Sequence, residues 1–181
     1  MTLLDAVARR RSRPKVTRDA PSREELLPLI AAAGAVADHG SLRPWRLIEL
    51  RGDALERLGA AFVEATGDEG AAAAKLAGKP LRAPLLIAIV AAHRESPKVA
   101  EWEQDAVASG VAHVLSLLLA EAGWGVMWRT GHLTRTEPVR RVHGLADNEQ
   151  LLGWLYIGGV ADDDKETPKG RINPEELLTA L

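Results

Sequence analysis

Four short clusters hold the side chains best suited to chemistry: Arg10-Arg11-Ser12, His39-Gly40-Ser41-Leu42-Arg43-Pro44-Trp45, Trp128-Arg129-Thr130-Gly131 and Lys169-Gly170-Arg171. Most of them combine Arg with Ser or Thr. A guanidinium offers forked, charged donors and a hydroxyl completes the shell, which is a donor set suited to phosphate. Taken singly, each cluster also reads as a solvated basic turn, and Trp45, Trp124 and Trp128 read as core aromatics. Other chemistries find little support. The closest approach to a Gly-x-Gly-x-x-Gly fingerprint, Gly123-Trp124-Gly125, enters a strand instead of opening a helix, which argues against a Rossmann site. The histidines His39, His93, His113, His132 and His143 lack the spacing that brings two metal ligands onto one helix face. No Gly-x-Ser-x-Gly elbow is present, and Ser12 and Ser41 have no identifiable base.

The elements that must position these clusters belong to a chain of 181 residues, which fits one domain spanning 1–181 with 161–181 as a polar C-terminal extension. A net charge of −2 with both signs interspersed leaves no broad basic footprint for nucleic acid. The absence of Cys excludes disulfides, thiolate metal sites and Cys nucleophiles, and is compatible with a reducing cytoplasm. No apolar span approaches the roughly 20 residues needed to cross a bilayer, so the expectation is a cytoplasmic protein without a membrane segment.

Along the chain, Leu3, Leu4 and Val7 give a short first helix an apolar face, closed by Arg9 to Arg11 and stopped by Pro14. Ser22-Arg23-Glu24-Glu25 is a capping box for a second helix that ends near Gly34. Trp45 to Leu50 reads as a strand and Asp53 as the cap of a third helix ending at Gly67. A weakly helical Ala71 to Ala77 run leads to Leu85 to Val90, a continuous apolar stretch typical of a strand covered on both faces. A long helix begins near Asp105 and is apolar nearly all round, hence buried. Its small residues, Gly110 among them, would allow close approach of another backbone. It passes through Gly123 into a strand ending at Trp128 to Gly131. Thr136-Glu137-Pro138 opens a helix that closes at Gly144, and Leu151 to Val160 supplies the last strand. The tail carries Pro174 to Leu178, whose few apolar residues need a surface to lie on. Strands separated by helices make an α+β or α/β layered domain.

In this combination the sequence resembles the FMN-dependent nitroreductase family, and within it the small single-domain branch of NAD(P)H nitroreductases. The markers are Arg10-Arg11-Ser12 after a short helix, His-x-Ser-x-x-Pro-Trp at His39 to Trp45, and Trp102-Glu103-Gln104-Asp105 opening the long helix. Gly123 to Gly131 and Gly153-Trp154-Leu155-Tyr156-Ile157-Gly158 complete the set. The resemblance implies an α+β three-layer fold with a mixed central sheet flanked by helices and a tail reaching the partner subunit. It implies a homodimer with FMN in clefts at the subunit interface, the long helix forming part of the dimer core. By position, Arg10, Arg11 and Ser12 would hold the FMN phosphate and ribityl chain, and Trp128, Arg129 and Thr130 would line the cofactor. His39 and Ser41 would come from the partner, and Lys169 and Arg171 match a basic pair used on the phosphate by many relatives. Arg43 stands where relatives usually carry Gln or Asn, and the third basic residue of the first cluster is Lys15, after Pro14. At the pyrimidine edge of the flavin Arg43 would stabilise the reduced, anionic form. At the rim it would attract the phosphates of the nicotinamide donor.

The implied activity is ping-pong reduction of nitroaromatics, quinones or another conjugated small-molecule electron acceptor by NAD(P)H, with no obligatory acid or base residue because the flavin carries the redox chemistry. Two rivals are a flavin-binding or sensing protein without significant turnover, and a cofactor-free helical dimerisation module whose basic clusters are surface.

Overall fold

The computed structural model describes residues 2–161 and 172–180. Among them six helices and four strands alternate: α1 Leu3–Arg9, α2 Arg23–Ala33, β1 Trp45–Leu50, α3 Asp53–Thr66, α4 Gly70–Ala77, β2 Leu85–Ala92, α5 Glu101–Glu121, β3 Trp124–Arg129, α6 Glu137–His143 and β4 Glu149–Gly159. The Ser22 hydroxyl accepts the Glu25 N–H at 3.2 Å while the Glu25 carboxylate takes the Ser22 N–H at 2.7 Å, so the expected capping box opens α2. Gly67 and Gly144 end α3 and α6 in the left-handed region, at φ 68° and 56°. One expected cap is displaced, and another, Thr136 of α6, holds its place without a side-chain bond to the helix. Gly52, not Asp53, precedes α3 and no side chain caps it. The Thr136 hydroxyl donates backward to the Leu133 carbonyl at 2.8 Å.

The strands form one sheet in the order β1-β2-β4-β3. All three pairings are antiparallel, which corrects the expected mixed sheet. The helical crossover from β2 to β3 does join two strands of the same direction. The last strand, β4, is inserted between them and runs the other way, so no parallel ladder forms. The apolar run Leu85 to Ala91 is buried throughout, as an interior strand covered on both faces must be.

Period-two alternation sorts the side chains into two cores. On one face Leu86, Ala88 and Val90 of β2 and Trp154 and Tyr156 of β4 meet Leu55, Leu58 and Phe62 of α3, Leu76 of α4 and Val139 of α6. On the other, Leu85, Ile87, Ile89, Leu155 and Ile157 meet Leu26 of α2 and Val111, Leu115 and Leu119 of α5. Each large aliphatic side chain so buried contributes about 1.5–3 kcal/mol relative to exposure. The helix α5 starts a turn earlier than Asp105. It buries one face within this chain, from Gln104 through Val107, Val111 and Leu115 to Leu119, and leaves Ala106 and His113 exposed. Gly110 faces only the Val36 side chain, at ordinary contact distance, so no backbone approaches closely there.

The first helix is well formed and poorly covered. Thr2 and Asp5 make a reciprocal capping box. Its apolar face, however, carries Leu3 at 74 % and Leu4 at 77 % exposure in the single chain.

Candidate functional site

The site is organised along β3, which among the described residues is an edge strand paired only with β4. After α1 the chain crosses the β3–β4 face: the Arg13 N–H donates to the Val126 carbonyl at 2.9 Å, the Thr17 N–H to Gly159 at 2.8 Å, and the Gly159 N–H returns to Asp19 at 2.9 Å. The crossing requires bare backbone beneath it. A Cβ on Gly158 would lie 2.7 Å from the Thr17 carbonyl oxygen and 2.8 Å from Val16 Cβ. This places Arg10, Arg11 and Arg13 beside Trp124 at one end of β3, in a cavity that also holds Arg9 and Glu121. Arg11 Nε and Nη1 are buried there with no hydrogen-bond partner. Ser12 is exposed on the same crossing segment.

Trp128 and Arg129 occupy the other end, two and three residues beyond Val126 and so about 7–10 Å along the strand. Alternation sends them to opposite faces. Trp128 meets His113 of α5 edge to face at 5.0 Å, and its indole N–H is buried without a partner. Gly153, at φ 143° in a bulge of β4, makes room for that ring, because a Cβ there would lie 2.8 Å from Trp128 Nε1. The Arg129 guanidinium lies 5.1 Å above the Tyr156 ring, and its Nε is likewise buried and unpartnered.

Around this end lies a cavity of about 400 Å³ whose lining includes Trp128, Arg129, Thr130, Lys79, Arg82 and Tyr156. Burial pushes the Tyr156 phenol up to about 12, against the opposing pull of Arg129 and Arg82. Lys79 precedes and Arg82 closes the short Pro80–Arg82 turn before β2; neither belongs to the sequence markers, and Tyr156 appears among them without a role. The available signal was a Lys-Pro-Leu-Arg turn directly before a buried strand, where basic residues at a strand entrance can face a ligand as readily as solvent.

His39, Ser41 and Arg43 lie on a separate loop against the first turn of α5 and line neither of these cavities. Its backbone is unusual: Gly40, Ser41 and Arg43 have φ of 73°, 53° and 48°, and non-glycine residues held there mark strain of the kind concentrated at ligand clamps. Asp38 holds the turn closed, its carboxylate taking the Arg43 N–H at 2.7 Å and its carbonyl the Ser41 N–H at 3.0 Å. The structure therefore brings Arg10, Arg11 and Ser12 to one end of the strand whose other end carries Trp128 and Arg129 and leads into Thr130, and keeps His39, Ser41 and Arg43 apart from both. Lys169 and Arg171 lie outside the described residues.

The most buried histidine serves the core. His143 Nδ1 donates to the Val139 carbonyl at 2.8 Å and Nε2 accepts the Trp154 indole N–H at 3.0 Å, which fixes a neutral ring. Burial holds its pKa below the usual imidazole range. Among the described residues no cluster of His, Asp or Glu suits a metal ion, and no helix is long and apolar enough to cross a membrane.

Arginines and buried N–H donors without partners among the described residues lie toward both ends of one strand, over a three-layer α+β fold. The Nitroreductase family model matches residues 7–159. The chain belongs to the nitroreductase family. Among its nitroreductase relatives, the Escherichia coli K12 protein named "Putative NAD(P)H nitroreductase YdjA" is 32% identical over 161 residues, covering 87% of this chain and 88% of the relative. The fold matches a nitroreductase-like family protein from Bacillus cereus with a TM-score of 0.85 at 22% identity, over 100% of this chain and 96% of that one. It also matches a variant of the FMN- and NADPH-dependent nitroreductase NfnB from sphigopyxis sp. strain HMH, with a TM-score of 0.81 at 19% identity over 99% of both chains.

Proposed function

We propose that this chain is a homodimeric, FMN-dependent oxidoreductase of the cytoplasm that uses NAD(P)H to reduce nitroaromatics, quinones or another conjugated small molecule. The observation that carries the reading is the set of buried donors without partners, Arg11 Nε and Nη1, Trp128 Nε1 and Arg129 Nε, within a family whose relatives are named as NAD(P)H nitroreductases. Unmet buried donors are costly, and a bound group that supplies acceptors accounts for them. Arg10, Arg11 and Ser12 hold the phosphate and ribityl chain in the arginine-lined cavity. Trp128, Arg129 and Thr130 line the ring, with Lys79 and Arg82 adding positive charge beside it. FMN held there would supply the redox chemistry that links the NAD(P)H donor to the acceptor. The protein excludes water with Phe62, Met127 and Leu133, and its fixed cations favour the added negative charge.

The partner subunit completes the cleft with His39, Ser41 and Arg43. Support for the dimer comes from the exposed apolar face of the capped α1, a surface that a single chain leaves in water. The whole chain acts as one domain, and the extension from residue 161 reaches the partner and delivers Lys169 and Arg171 to the phosphate.

The test is a purified protein assayed for bound flavin, FMN affinity and anaerobic bleaching by NADH and NADPH. A yellow dimer bleached by either donor and reoxidised by a quinone or nitroaromatic is expected. A colourless protein that takes up no FMN refutes the reading, and a yellow one that neither donor reduces leaves a flavin-binding protein without turnover.

A further inference from the structure

Three consecutive residues near the start of α5 tie two segments to the helix. Asp105 Oδ1 lies 2.9 Å from His93 Nε2 beyond the end of β2. The buried Gln104 amide takes the Arg94 N–H at 2.8 Å and donates to the Arg94 carbonyl at 2.9 Å. Glu103 reaches the loop that carries the candidate cofactor residues, its Oε2 lying 3.0 Å from His39 Nδ1. Its other oxygen, Oε1, accepts the Ala100 N–H at 3.1 Å, one of the orphan donors at the start of the helix.

Both carboxylate oxygens are therefore engaged. The His39 contact holds the Glu103 carboxyl below the usual carboxylate range, so at neutral pH it is ionised and can only accept. The nitrogen facing it must carry a proton. In the neutral ring the hydrogen therefore sits on Nδ1, with the lone pair on Nε2. The His39 side chain remains 58 % exposed while the Glu103 side chain is 27 % exposed, so the ring is tethered on one side and open on the other.

We infer that Glu103 is a positioning residue: through Nδ1 it sets the tautomer and direction of His39, so that Nε2 is presented as an acceptor toward the FMN of the partner subunit. The assignment rests on the proposed FMN dimer for its target, while the Glu103–His39 contact belongs to one chain. It also gives the backbone geometry a purpose. A loop already held in left-handed conformations at Gly40, Ser41 and Arg43 is pinned at its base by Asp38 and at its tip by Glu103, which leaves the ring little freedom to turn away.

An amide cannot replace the carboxylate here. Gln offers one acceptor oxygen and an NH₂, so it leaves either the Ala100 N–H or His39 Nδ1–H facing a donor. Glu103→Ala and Glu103→Gln should therefore both weaken FMN binding, by about three- to ten-fold for one lost orienting hydrogen bond. The readout a merely structural role would not move is the His39 tautomer, followed by ¹⁵N NMR in the ligand-free protein, with His39→Gln giving the assignment. The wild type is expected to carry hydrogen on Nδ1, and Glu103→Ala to shift it toward Nε2. Loss of the helix cap alone would lower the melting temperature and leave tautomer and FMN affinity unchanged, which overturns the inference. So does a wild-type His39 protonated on Nε2. A wild type that takes up no FMN overturns the flavin reading and this inference with it, whereas one that binds FMN with the affinity of Glu103→Ala overturns this inference alone.

Discussion

Replacing Arg11 with Met separates the stability of the ligand-free chain from its affinity for cofactor, because the two should move in opposite directions. Arg11 buries Nε and Nη1 without a hydrogen-bond partner. A buried donor left unmet costs about 1–3 kcal/mol. Because the side chain is only half-buried and Nη2 is not among the buried atoms without a partner, the low end applies, and Met keeps an aliphatic stem at this position. The ligand-free variant should gain about 1 kcal/mol, which for a chain of 181 residues raises the melting temperature by roughly 2–4 °C. FMN affinity should fall. A charged hydrogen bond to phosphate contributes about 1.5–3 kcal/mol, so the dissociation constant should rise roughly 10- to 150-fold. Calorimetric melts with and without saturating FMN, beside a fluorescence titration, read both quantities on one preparation. A variant that melts lower than the wild type without FMN would show that the guanidinium is satisfied in the free chain, and an unchanged dissociation constant would remove Arg11 from the phosphate site.

Tyr156 is the only tyrosine in the sequence, so phenolate absorbance reports it directly. Its titration should be centred near 12 in the folded protein. Because that value is raised above the unfolded one, the stabilisation is fully present below about pH 10 and is lost as pH rises toward 12, and Tyr156→Phe should flatten the slope in alkaline urea melts. The depressed pKa of His143 has the opposite consequence. Stability is full above its unfolded pKa of about 6.5 and declines as pH falls below it, before the ion-paired Glu49 and Glu149 begin to protonate. A urea midpoint flat from pH 7 down to pH 5 would contradict this. Arg43→Gln should lower the two-electron flavin potential by about 20–60 mV if the guanidinium faces the pyrimidine edge, since about 30 mV corresponds to 1.4 kcal/mol. Spectroelectrochemistry showing an unshifted midpoint with a raised donor KM would make Arg43 a docking residue.

What the sequence disclosed was whatever chemistry is local. Ser22 and Glu25 announce their cap because both partners lie within one turn, and Leu85 to Val90 announces a doubly covered strand by composition alone. Strand direction depends on which strand is inserted where, and β4 lies about sixty residues beyond the strand it pairs with in the middle of the sheet, so no short window contains the antiparallel answer. Asp53 has the composition of a cap, yet Gly52 at φ 49° turns the chain so that the aspartate falls inside the helix. For the site, Arg10 to Ser12 and Trp128 to Thr130 were legible as motifs. Lys79 and Arg82 were not, because a basic turn becomes part of a cavity only when β3 is laid beside it. Glu103 was legible as part of a pattern without a purpose, since its partner His39 is 64 residues away in the chain.

The crossing of residues 13–19 over β3 and β4 sets a timetable for biosynthesis. The arm bearing Arg10 to Ser12 is made long before the strands it crosses, and it is anchored by Thr17 and Asp19 to Gly159. The strand carrying Trp128 and Arg129 waits as well, because its only neighbour in the sheet is β4. A nascent chain can pair β1 with β2, but it owns neither end of the cofactor cradle until translation has passed residue 159. Contacts so distant in sequence are slow to close. On the proposed site, flavin loading would follow synthesis of β4, and a chain that lacks β4 leaves an unpaired strand edge of the kind that chaperones recognise.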